Sequence, residues 1–227
     1  ATITPTAYSF NQDAGFSVVT YSGNSVTGAT LPHGLGAIPD MMIIKTLNTN
    51  ETWCVFHKDL DPTAPEDYHL QIDSTAARIN SSGQWNDTMP TSVVCSFGGS
   101  SNVNTGYTYV GYFFKGKQGY SKFGQYVGNG DTDGTFVYTG FRPAFVLVRD
   151  YANVESWALY DNKRIGYNYK NWFLTPNDDR AEGESVYPDI LSNGFKWRHG
   201  DGMINGSGKS YIYAAFAESP FVNSNGV

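Results

Sequence analysis

The chain repeats itself. Gly15-Phe16-Ser17 opens a segment that reaches Tyr21 and Gly23-Asn24, and Gly119-Tyr120-Ser121 opens a second that reaches Tyr126 and Gly128-Asn129. Gly36-x-x-Pro39 runs into Met41-Met42-Ile43-Ile44-Lys45, and Gly140-x-x-Pro143 runs into Phe145-Val146-Leu147-Val148-Arg149. Trp53 and Trp157 each stand eight residues beyond the basic residue. Gly106-x-x-Tyr109 leading to Phe114 is answered by Gly208-x-x-Tyr211 leading to Phe216. The offset is 104 residues at the tryptophans and 102 at the closing tyrosines. A near-constant offset over this many landmarks points to two copies of one unit. At roughly 105 residues each copy is long enough for a β-sandwich and too long for a propeller blade or a solenoid rung. The expected organisation is an N-terminal arm at 1–13, repeats at 14–117 and 118–222, and a tail at 223–227.

Composition narrows the class to all-β. Aromatics make up 15% of the 227 residues and charged residues 16%, against about 25% charged in an average chain. Disordered chains and coiled coils carry more charge and fewer aromatics. Alternating runs predict strands at 16–21, 41–45, 53–57, 92–97 and 107–114 in the first repeat. They predict 122–127, 135–138, 144–149, 156–160, 194–198 and 210–217 in the second. Asn and Gly pairs such as Asn129-Gly130, Asn193-Gly194 and Asn205-Gly206 mark turns between them. No long window has helical periodicity, which leaves room for short helical turns at 63–67 and 178–183. Trp53 and Trp157 are expected to anchor the two cores.

A net charge of −6 argues against a nucleic-acid surface. No apolar run approaches the ~20 residues of a membrane helix, so no membrane insertion is expected. No basic segment followed by an apolar one opens the chain in the manner of a signal peptide.

Several stretches carry a resemblance. The first repeat contributes the run from Gly15 to Asn24, His33-Gly34-Leu35-Gly36-x-x-Pro39, Trp53-x-x-x-His57, Asp73-Ser74-Thr75-Ala76 and Trp85-Asn86-x-Thr88-x-Pro90-Thr91. The second contributes the run from Gly119 to Gly130, the run from Gly134 to Val148, and the closing Phe216-Ala217-Glu218-x-Pro220-Phe221. From about residue 14 to 222 the chain resembles a tandem-repeat β-domain of tailed, often marine, bacteriophage virion proteins, as found in tail fibres and other structural components. The resemblance implies two tandem jelly-roll or concanavalin-like sandwiches and no defined enzymatic activity. It implies a protein of the virion, made in the host cytoplasm. Its expected partners are other virion proteins, further copies of itself in a homo-oligomer such as a trimer, and a host surface glycan. In the family this pair commonly ends a much longer chain.

The chemistry-bearing residues are sparse. His33, His57, His69 and His199 fall in no zinc spacing. His57 aligns with Asp161, an unlike pair that suggests an exposed or lightly constrained position. Asn129 to Gly134 resembles part of a calcium loop but lacks the distal bidentate Glu, so it reads as a tight turn. Neither a metal nor another cofactor is expected. Glu66, Asp67, Asp178, Asp179, Glu182 and Glu184 lie in polar, turn-like stretches and read as solvated loops rather than a glycosidase pair. Cys54 aligns with Ala158 and reads as a small buried thiol, and Cys95 lies in a strand-like run. Four Asn-x-Ser/Thr sequons, beginning at Asn50, Asn80, Asn86 and Asn205, read as loop composition.

Binding potential lies in aromatic residues. Tyr8 and Phe10 sit in the arm, and Tyr68, Trp85, Tyr151, Tyr167, Tyr169, Trp172 and Tyr187 sit in loops or at loop edges. Exposed aromatics anchor subunit contacts or stack on sugars. The expectation is a non-enzymatic virion structural protein in a tail fibre or tail appendage. A capsid decoration protein and a glycan-binding or glycan-cleaving adhesin are the alternatives.

Overall fold

The structure, a computed structural model, describes residues 1–164, 168, 172–184 and 186–220. It forms two units. Unit 1 holds residues 1–73 and 78–115; unit 2 holds 74–77 and the chain from 116 onward. The stretch 74–77, which the repeat boundaries assign to the first copy, thus packs with the second.

Unit 1 contains β1 (Pro5–Asn11), β2 (Phe16–Ser22), β3 (Ala29–Pro32), β4 (Met41–Thr46), β5 (Cys54–His57), β6 (Tyr68–Gln71), β7 (Ile79–Asn80), β8 (Val94–Phe97) and β9 (Thr108–Phe114). Seven of these form one sheet in the order β1-β2-β9-β4-β5-β6-β7, and β3 pairs with β8 in a ribbon. Alternation sets the inward face: in β2, Ser17, Val19 and Tyr21 are buried while their neighbours are not. The large sheet and the ribbon share one core, in which Tyr21, Ile44 and Phe56 meet Leu31, Cys95 and Phe97.

Unit 2 contains β10 (Ser121–Val127), β11 (Phe136–Tyr138), β12 (Pro143–Asp150), β13 (Ala158–Asp161), β14 (Phe173–Leu174), β15 (Pro188–Leu191), β16 (Gly194–Trp197) and β17 (Ser210–Ala217). Its sheets run β10-β17-β12-β13-β14 and β11-β16-β15. Tyr126, Val148 and Tyr211 of the first pack with Val137, Phe195 and Trp197 of the second. All the strand pairs are antiparallel, so the fold is all-β.

The same polar devices brace each unit. In unit 1 the buried Tyr21 hydroxyl donates to the Val103 carbonyl at 2.7 Å. In unit 2 the Tyr126 hydroxyl donates to the Ile204 carbonyl at 2.5 Å. Asn104 donates to the Val26 and Gly98 carbonyls and accepts from the Asn24 backbone. Asn205 donates to the Asp131 and His199 carbonyls and accepts from the Asn129 backbone. A fully buried amide with these bonds is a clamp for two loops. Asn205 is therefore no surface sequon.

Unit 2 also buries Arg149 completely. Its guanidinium donates to the Thr75 and Ala76 carbonyls at 2.7 and 2.6 Å, which holds the 74–77 stretch in place. It lies 5.9 Å from the Trp157 ring centroid.

Several local expectations need correction. The arm is not a free extension. Its residues 5–11 form the edge strand β1, and Ile3 is buried in the core. Trp157 is buried as expected, whereas Trp53 is only half-buried and stacks on Tyr112. His57 is buried, because all four residues of β5 are enclosed. Asp59 donates its backbone N–H to the His57 Nδ1. A single turn of 3-10 helix occupies Pro65–Asp67, but 178–183 holds no helix.

Candidate functional site

The candidate site is an apolar groove of about 300 Å³ in unit 1, lined by Pro5, Tyr8, Phe10, Val19, Pro32, His33 and Gly34. Tyr8 and Phe10 are two positions apart on β1 and so share a face. Their rings are stacked with centroids 5.8 Å apart and 18° from parallel. Tyr8 is 67% exposed and Phe10 48%. Tyr8 lies opposite Val19 and Phe10 opposite Ser17 in the β1–β2 register, so the buried Val19 floors the groove.

Gly34 closes one end. Its φ of +75° suits glycine, and a Cβ there would lie 2.9 Å from the Phe10 ring. The Gln12 amide donates to the Gly34 carbonyl at 2.9 Å, tying the end of the arm to this turn. His33 is buried and hydrogen-bonded, as expected of a loop histidine. Its Nδ1 accepts from the Leu35 backbone and its Nε2 lies 3.1 Å from the Thr91 carbonyl. Burial lowers its pKa, so the ring is neutral at pH 7. The groove therefore presents aromatic and proline surface without a charge. Such a surface suits contact with another apolar surface.

The other predicted contact residues that the structure describes do not gather with these. Tyr68 is half-buried beneath the Arg78 guanidinium, 4.3 Å from its ring centroid. Trp85 is not at a loop edge. It is fully buried at the end of a helical turn, Ser82–Trp85, where its indole N–H donates to the Tyr68 carbonyl. That turn starts at Ser81, whose hydroxyl accepts from the Gly83 backbone. Tyr151 is likewise buried, while Trp172 and Tyr187 are half-buried. Tyr167 and Tyr169 lie outside the described residues.

Two of the acidic candidates, Asp178 and Glu182, pair with arginines. Arg180 donates to Asp178 through Nε at 2.8 Å and holds its carboxyl below the usual range. Arg164 pairs with both Asp161 and Glu182. The Asn129–Gly134 loop closes on itself: Asn129 Oδ1 accepts from the Asp131 backbone, and Asp131 Oδ1 from the Asp133 backbone. Among the described residues, no group of three His, Cys, Asp or Glu side chains is placed to hold a metal ion. No described helix is long and apolar enough to cross a membrane.

Cys54 and Cys95 are both buried and free. Burial pushes both thiols up, that of Cys95 to about 12.

One family model matches residues 2–220, taking in the arm and both units. The chain belongs to that family, a domain of unknown function designated DUF7483. No curated protein and no solved structure matches it. The DUF7483 match thus includes β1 and the groove along with the strands of both units.

Proposed function

We propose that the chain is a non-enzymatic structural protein of a tailed-bacteriophage particle, a tail fibre or tail appendage component that contacts neighbouring subunits or the host surface. The observation that carries this reading is the Tyr8–Phe10 groove. It is an uncharged aromatic surface displayed on a strand anchored by Ile3, Gln12 and the β1–β2 ladder. Aromatic surface held in a fixed geometry gives contact at low entropic cost. Among the described residues, no carboxylate lines the groove.

We also read the units as two copies of one jelly-roll-like sandwich. The succession β2-β9-β4-β5-β6 matches β10-β17-β12-β13-β14 in chain order. The tyrosine and asparagine braces recur at equivalent places. Repeated units of this kind suit a rigid, protease-resistant appendage.

The outer edge of β1 ends the seven-stranded sheet and favours a second reading, capsid decoration, in which the arm laces onto a neighbour. Electron cryomicroscopy of purified particles, combined with antibody labelling of this chain, tests both. Density on the tail supports the first reading, and density on the capsid the second. Absence from the particle sinks both.

A further inference from the structure

Unit 2 carries a concavity of about 580 Å³ between the end of β11, the β15–β16 turn and the exit of β17. Among the described residues, none of the aromatics singled out from the sequence lines it. We propose that it binds a neutral sugar, one per chain.

Tyr138 forms one wall and is 57% exposed. The Lys122 ammonium donates to its carbonyl at 2.7 Å and lies 5.1 Å from its ring centroid, which limits the movement of the ring. Gly140, at φ +86°, turns the chain directly beneath: a Cβ there would lie 3.5 Å from the Tyr138 hydroxyl.

Arg142 and Glu218 supply polar groups, paired at 2.8 Å. Each is held by a second partner. Arg142 donates to the Ile190 carbonyl, and Glu218 accepts from the Asn162 amide at 2.7 Å. Asn193 completes the site. Its carbonyl accepts from the Thr139 and Gly140 backbones, which fixes the turn that carries its exposed side chain.

Arg142 and Glu218 neutralise each other, and Lys163, 3.9 Å from the same carboxylate, is 81% exposed and screened by solvent, so the site does not favour a strongly charged ligand. What remains is an aromatic ring, N–H donors, a carboxylate acceptor and a hydroxyl at Ser192. A sugar has both halves of that chemistry, with C–H faces for the ring and hydroxyls that donate and accept. The volume lies within the roughly 300–1,000 Å³ usual for small-ligand sites. Unit 1 has Ile38 at the repeat position of Arg142 and Gly116 at that of Glu218, so it lacks the ion pair.

The inference concerns the chemistry of unit 2 and stands or falls apart from the particle assignment. The test is saturation-transfer NMR on the full chain. Glucose, galactose, mannose, N-acetylglucosamine and their short oligomers serve as neutral probes, with glucuronate and N-acetylneuraminate as anionic ones. The expected result is binding of at least one neutral probe at one site per chain. Tyr138→Ala and Arg142→Ala should each weaken it by about tenfold or more, while Tyr138→Phe and Tyr8→Ala leave it within about threefold. Circular dichroism checks that each variant is folded. Because Tyr138 is exposed, its variant keeps the test valid should Arg142→Ala unfold. Binding of anionic probes alone, of no probe, or binding unmoved by Tyr138→Ala would overturn the proposal.

Discussion

Tyr126 lies face to face with Tyr211, their centroids 4.9 Å apart and their planes 10° from parallel; in unit 1 Tyr21 meets Tyr109 in the same way, at 5.0 Å and 14°. Each pair also has its hydroxyls committed. Tyr21 and Tyr126 donate to loop carbonyls, and Tyr109 and Tyr211 accept from the Thr105 and Gly206 backbones. The stacked rings thus fasten the sheet to the loop that leads into β9 in unit 1 and into β17 in unit 2.

Tyr21→Phe keeps the stack and removes one buried hydroxyl, leaving the Val103 carbonyl without its donor. The expected loss is about 1–3 kcal/mol. Urea unfolding of the variant and the parent protein measures it. A change inside the error of the midpoint would show that the hydroxyl does not brace the loop.

Arg149→Ala removes the two guanidinium hydrogen bonds to the 74–77 stretch and leaves the one from the Glu155 backbone to the Thr75 carbonyl. Hydrogen bonds from a charged group contribute about 1.5–3 kcal/mol each, so unit 2 should lose on the order of 3 kcal/mol. Limited proteolysis should find a new cut near Thr75. An unchanged digestion pattern would mean that other contacts hold the segment.

Acid should weaken unit 1 through His69. This side chain is buried on β6, and its Nδ1 has no hydrogen-bond partner among the described residues. Burial lowers its pKa from 6.5 to about 4, against the opposing effect of the hydrogen bond with the Ile79 backbone. Between those values the unfolded chain binds the proton and the folded one does not. The contribution is therefore full above pH 6.5 and is lost as the pH falls through 4, with a total of about 3 kcal/mol. Urea midpoints for the parent and His69→Gln at several pH values test this: the variant should show the shallower dependence.

The paired substitution Tyr8→Ala and Phe10→Ala should leave stability within about 1 kcal/mol, because both rings are substantially exposed. It should reduce self-association or incorporation into particles, measured by sedimentation velocity and by blotting purified particles. Unimpaired assembly would remove the groove from the contact surface.

The strands were the legible part of the sequence. All eleven predicted runs contain strands, because alternating side chains and Asn-Gly turns are local signals. What escaped was set by distant partners. β1 has no counterpart in the repeat, so the alternation of Tyr8, Ser9 and Phe10 had nothing to align with. Trp85 looked like a loop residue because a helical turn of four residues is too short to show a period. His57 looked exposed because its aligned partner is Asp161, yet β5 lies inside its sheet between β4 and β6. Within the groove, Tyr8 and Phe10 were readable as spare aromatics. Pro32 and Gly34 were not, since only folding brings that turn against the arm.

The two cysteines have a practical consequence. Both lie in unit 1, sealed in its core and held protonated, and unit 2 has none. An alkylating reagent reacts with thiolate, so in native protein it reaches sulfur when unit 1 opens. The rate of modification is then a clock for the opening of one half of the chain, and it ignores the other half. The stabilities of the two units can be separated without cutting the polypeptide or adding a label.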